Sequence, residues 1–210
     1  MSTTTPTANP RFAEPATRRQ IEAAVNGLET RNIGVHVVDT VAAARALVGE
    51  LLPTDEEIFT AQSQTLRLSG IAADIDESGR FRSLRATRLA ALEPWSAEAR
   101  RIGAAPDVVI GSAHALTEDG QIVVASASGS QLSAYAAGAS KVFLVIGAQK
   151  IVTDLDAAIR RIETHALPLE SERVMPLYHQ PSVIGKLLVL RHEVVPHRTT
   201  VVLIREKIGF

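Results

Sequence analysis

Two hundred and ten residues, 46% hydrophobic and 21% charged, suit one globular domain with a buried core and exclude wholesale disorder. The absence of cysteine excludes disulfides, thiolate zinc sites, a cysteine nucleophile and any iron–sulfur cluster held by this chain's own thiolates. Twenty-two Lys and Arg against 23 Asp and Glu leave a formal charge of -1, which calls for neither nucleic acid nor an anionic membrane as partner.

Residues 1–12 are rich in Ser, Thr, Pro, Ala and Asn and predict a disordered tail. On that expectation, deleting Met1 to Arg11 is thermally silent. The sequence Met1-Ser2-Thr3-Thr4-Thr5-Pro6 lacks the basic-then-apolar order of a signal peptide, and no apolar run is long enough to span a bilayer. A cytoplasmic protein without membrane insertion is expected. Residues 13–210 then form the folded domain.

Pro15 starts a helix to about Glu29, with Ile21, Ala24, Val25 and Leu28 at helical spacing. Ile33 to Val38 reads as a strand, Val41 to Leu52 as a helix capped by Asp39 or Thr40, and Glu57 to Ala61 as a second strand. A short helix then runs to about Ser69. Asp74 to Arg101 is arginine-rich and weakly periodic, with a turn at Asp76-Glu77-Ser78-Gly79 and Trp95 just after Pro94. Three strands follow, at Asp107–Gly111, Gln121–Ser126 and Lys141–Gly147, and Asp154 caps an amphipathic helix. Lys186–Glu193 and Thr199–Glu206 read as a β-hairpin or two late strands at one end of the sheet, with Pro196 in the turn. The alternation of strand and helix predicts a single α/β domain whose mostly parallel sheet is flanked by helices.

In such sheets ligands sit beyond the carboxyl ends of the strands. Three exits are rich in small and polar residues: Thr60-Ala61-Gln62-Ser63-Gln64-Thr65, Gly111 to Gly120, and Ser126 to Gln131. Ser63, Thr65, Ser112, Ser128, Gly129, Ser130 and Gln131 are therefore candidate ligand contacts. Small side chains let a ligand approach the backbone, and a following helix favours an anion. His114 can donate to a carboxylate or shuttle a proton, and Glu118 or Asp119 can serve as a general base. Each also has a structural alternative, as a satisfied histidine, a turn cap or a solvated carboxylate. Lys150, one of four lysines, follows a predicted strand and can aim an ammonium at an anion. The scattered histidines have no metal-ligand spacing, no G-x-S-x-G elbow is present, and neither a Walker loop nor a dinucleotide fingerprint appears. No cofactor or metal is expected, and one polar pocket lined by these exits is.

The run Gly111-Ser112-Ala113-His114-Ala115-Leu116-Thr117-Glu118-Asp119-Gly120, then Ser128-Gly129-Ser130-Gln131-Leu132 and Val145-Ile146-Gly147-Ala148-Gln149-Lys150-Ile151-Val152, resembles the LUD domain of lactate-utilisation proteins. The resemblance extends through Asp154 to Ile162 and, upstream, to Asp39-Thr40, Ser63-Gln64-Thr65-Leu66 and Gly70-Ile71. It covers most of residues 30–175. It implies a fold similar to the ribose-5-phosphate isomerase, CoA-transferase and formyltetrahydrofolate cyclo-ligase group. It also implies a part in oxidising L-lactate to pyruvate beside iron–sulfur subunits, and carries over no catalytic residue. Ser126-Ala127-Ser128-Gly129-Ser130 stands where many family members have a glycine/threonine-rich loop. The alternatives are a stand-alone isomerase- or CoA-transferase-like enzyme on an anionic sugar or acyl substrate, with Glu118 or Asp119 as acid/base, and a regulatory protein with a vestigial pocket. A homo-oligomer is compatible with all three.

Overall fold

The computed structural model describes residues 7–93 and 96–210, so Met1 to Pro6, half of the expected tail, and the Pro94-Trp95 pair lie outside it. Six strands form one parallel sheet: β1 (Gly34–Val38), β2 (Glu57–Thr60), β3 (Arg82–Ser83), β4 (Val108–Gly111), β7 (Lys141–Gly147) and β10 (Thr199–Ile204), in the order β1-β10-β7-β4-β2-β3. A second sheet of four short strands has the order β8-β5-β6-β9, with β5 at Ala115–Thr117, β6 at Ile122–Ser126, β8 at Ile151–Val152 and β9 at Lys186–Leu190.

The large sheet is buried on both faces, which is why its strands are nearly continuous apolar runs. Val109, Val142, Leu144, Ile146, Val201 and Leu203 point one way, against α1 (Arg18–Glu29) and the small sheet. Their neighbours Val108, Ile110, Phe143, Val145, Val202 and Ile204 point the other way, against α2 (Val41–Leu51), α3 (Gln64–Leu68) and α4 (Ile71–Asp76). The strand period of two thus builds two cores from the same segments. α6 (Leu155–Arg161) covers the outer face of the small sheet through Ala157 and Ala158, joined by Ile162 just after it. It runs through a π turn at Ile162–Ala166 into α7 (Leu167–Tyr178), while α5 (Ala97–Ala104) precedes β4.

Two expectations need correction. The late strands form no hairpin: β10 is inserted between β1 and β7 in the middle of the parallel sheet, whereas β9 pairs antiparallel with β6 in the other sheet. Thr199 to Ile204 is buried on both faces at all but one position, the signature of a central strand. The described part of the expected tail is also ordered. Asn9 caps a 3₁₀ turn at Pro10–Ala13, its N–H donates to the Thr164 carbonyl at 2.8 Å, and its own carbonyl lies 2.8 Å from Nδ1 of His165. Backbone polar groups, invisible to an apolar-periodicity argument, hold this segment.

Candidate functional site

Because the large sheet is wholly parallel, every strand delivers its following loop to the same edge. Four neighbouring strands, β10, β7, β4 and β2, bring their exits together near the centre of that edge. Thr65 comes from the first turn of α3, which follows β2, Ser112 from the first position after β4, and Lys150 from the 3₁₀ turn Ala148–Lys150 after β7. The Lys150 Nζ lies 2.9 Å from Thr65 Oγ1, 3.1 Å from Ser112 Oγ and 3.1 Å from the Ala113 carbonyl. The Ser112 hydroxyl also reaches Thr65 Oγ1 at 3.2 Å.

The fourth exit closes over this cluster. Gln149 Nε2 donates to the carbonyls of Ile208 at 2.8 Å and Gly209 at 3.0 Å, pinning the segment after β10 beside Thr65. Gly209 has φ +63, and a Cβ there would lie 2.3 Å from Thr65 Oγ1, so only glycine allows this approach. Lys150 is left 1% exposed, while Ser112 keeps partial access to solvent.

Behind Lys150 lies a second cation. Arg161, on α6, is 0% exposed. Its guanidinium donates only to backbone carbonyls: His114, Gln149 at 3.4 Å and Phe12 at 3.4 Å. Among the described residues neither cation is within ion-pair distance of a carboxylate. Burial pushes Lys150 well below its usual pKa, with the neighbouring Arg161 charge adding to the effect. Burial likewise lowers Arg161 to about 10. His114 accepts the Ala125 N–H on Nδ1 at 3.1 Å, which places its proton on Nε2. Desolvation, then the charges of Lys150 and Arg161, push it down to about 3, so the ring is neutral at physiological pH.

The other sequence candidates are elsewhere or otherwise engaged. Ser63 caps α3 through the Leu66 N–H at 3.4 Å. Glu118 accepts from Gln20 on α1, and Asp119 accepts from Arg31, Thr117 and Gln121, so these carboxylates belong to the turn that docks on α1. That docking is why the turn ends in Gly120: its φ is +86, and a Cβ would lie 2.2 Å from the Gly27 backbone. No hydrogen bond joins Glu118 or Asp119 to the Lys150 cluster. Ser126, Ser128, Ser130 and Gln131 bond within their own loop, and Lys186 packs on Gly129, where a Cβ would stand 2.7 Å from Lys186 Cδ. The helix expected after this loop runs over residues 132–138 and is a π turn at Ala134–Gly138. The loop's side chains are engaged with one another and make no hydrogen bond to the Lys150 cluster.

An open groove of about 740 Å³ lies away from this cluster, between α2 and α4, lined by Arg45, Gly49, Asp74, Arg80 and Phe81 among others. Its charges are spent locally, with Arg45 forked onto Asp74 at 2.5 Å and Arg80 donating to the Gly49 carbonyl at 2.7 Å. We therefore place the candidate site at the strand edge, where the positive charge is unpaired. Sequence reasoning missed Arg161 and Gln149. A lone arginine on the buried face of an amphipathic helix was the available signal for the first.

The sequence profile of the LUD domain matches residues 21–204, nearly the whole chain. This protein belongs to the LUD-domain family. Seven solved chains resemble the structure, among them a DUF162 family protein from Deinococcus radiodurans, with a TM-score of 0.53 at 14% identity over 90% of this chain and 99% of that one. At that identity the likeness supports the fold alone. No curated protein matches the sequence. Within this LUD domain no helix among the described residues is long and apolar enough to cross a membrane, and no cluster of metal-binding side chains is found among them.

Proposed function

We propose that this LUD-domain protein is a cluster-free subunit or accessory factor of an L-lactate-oxidising system, binding a small organic anion at the strand edge. The observation that carries the reading is the buried Arg161 cation with the Lys150 amine beside it, neither facing a carboxylate among the described residues. An unpaired buried charge costs several kcal/mol, and an incoming anion offsets that cost. Thr65 and Ser112 add hydroxyls suited to a second oxygen, as in a 2-hydroxy or 2-oxo carboxylate. Family membership supplies the lactate connection. With no cysteine to hold a cluster, the chain fits a reading in which partner subunits carry the iron–sulfur centres.

A thermal-denaturation panel of L-lactate, pyruvate, inorganic phosphate and CoA esters tests the ligand class. The reading expects stabilisation by the short carboxylates, and no response to any of them contradicts it. Purifying the tagged chain from cells oxidising lactate tests the partner, which should bring iron–sulfur absorbance with it.

A further inference from the structure

The Ser112–Lys150 pair has a second capacity that anion binding does not use. We propose that Ser112 is an acylatable nucleophile with Lys150 as its base, and that its substrates are short esters or thioesters uncharged around the reacting carbonyl. This goes beyond the anion-binding reading and does not depend on it.

The geometry matches the requirement closely. An amine has two N–H donors and one lone pair. The Ala113 carbonyl, 3.1 Å away, can only accept, and Thr65 Oγ1 at 2.9 Å takes the second N–H. Nζ and Ser112 Oγ are 3.1 Å apart, so once the lysine is an amine its lone pair can accept the Ser112 O–H, which turns from its contact with Thr65 Oγ1 at 3.2 Å. Burial beside Arg161 with no carboxylate favours the amine over the ammonium, the condition for a lysine to act as base. Exposure divides the roles: Lys150 is sealed behind the pair, and Ser112 is partly open. Ser112 also stands at the abrupt exit of a buried strand. The phenol of Tyr135 packs so closely on Gly111 that a Cβ there would lie 1.7 Å from Oη, which leaves that turn little room to move.

In the acylation step Ser112 Oγ forms a bond to the carbonyl carbon as its proton passes to Lys150 Nζ. The bond from that carbon to the ester oxygen or thioester sulfur breaks, and the leaving group takes the proton from Lys150. Water then adds to the acyl carbon, giving its proton to Lys150, and Ser112 Oγ departs and recovers it. The sum is hydrolysis.

The test treats the full chain with a fluorophosphonate probe and with p-nitrophenyl acetate, reading intact mass and the modified peptide. One adduct per chain is expected, on Ser112, and absent in Ser112→Ala. Lys150→Met should slow labelling on the order of 100-fold. Lys150→Arg, which keeps a long polar side chain but stays protonated, should slow it equally and guards against misfolding of the methionine variant. The wild-type rate should fall as pH drops through the lysine's titration. A folded wild type that leaves Ser112 unlabelled, or labelling unchanged in both Lys150 variants, overturns the proposal. Labelling without stabilisation by carboxylates would instead count against the anion-binding reading alone.

Discussion

Single side chains around the strand edge carry measurable signatures. His114 has a folded pKa of about 3 against an ordinary 6.5, so between those values the unfolded chain binds the proton and the native state does not. Its contribution to stability is complete above the unfolded value and is lost as pH falls through that window. Asp74 and Asp119 are held below the usual carboxylate range and respond at lower pH, but His165 is also lowered by burial, so His114 is read from the difference between wild type and a variant. His114→Gln, whose Oε1 can still accept the Ala125 N–H, should flatten the fall in melting temperature from pH 6.5 to about 4.5. Arg161→Met strands the carbonyls of His114, Gln149 and Phe12 and should cost about 2–4 kcal/mol in urea unfolding. Gly129→Val should lower stability with or without ligand, by about 1–3 kcal/mol, because φ there is +86 and Lys186 occupies the space.

Whole elements divide into those whose pattern is local and those whose place is decided by distant partners. The amphipathic spacing of Ile21, Ala24 and Leu28, the cap at Asp154 and, to within the choice of Asp39 or Thr40, the start of α2 are readable because each depends on residues within one or two turns. Convergence of Thr65, Ser112 and Lys150 was readable because a parallel sheet sends its exits to one edge. The insertion of β10 between β1 and β7 was not, since its apolar run fits a hairpin as well as a central position. Nor was the commitment of Glu118 and Asp119 to the α1 contact, which depends on Gly27 and Gly120 meeting across the fold. The N-terminal turn is a further case. It docks through the Asn9 bonds and the Phe12 carbonyl, so truncation through Ala13 should cost roughly 1–2 kcal/mol. In a chain this long that lowers the melting temperature by about 2–4 °C per kcal/mol, readable by calorimetry.

At the scale of the molecule, the exits of both sheets, α6 and the N-terminal 3₁₀ turn enclose the Arg161 charge, which no carboxylate among the described residues neutralises, and the segment after β10 lies over the neighbouring Lys150 cluster. A ligand that balances this charge should stabilise the whole fold, by about 2.7 kcal/mol at a hundred times its dissociation constant. It should also draw a proton onto Lys150, whose affinity for one is suppressed by burial and by the Arg161 charge. The most direct measurement is calorimetric titration of pyruvate into the wild type and Lys150→Met, in two buffers of different ionisation enthalpy. The account predicts saturable binding with net proton uptake by the wild type, and neither in Lys150→Met. Absence of binding by the wild type, or equal binding by Lys150→Met, would contradict it.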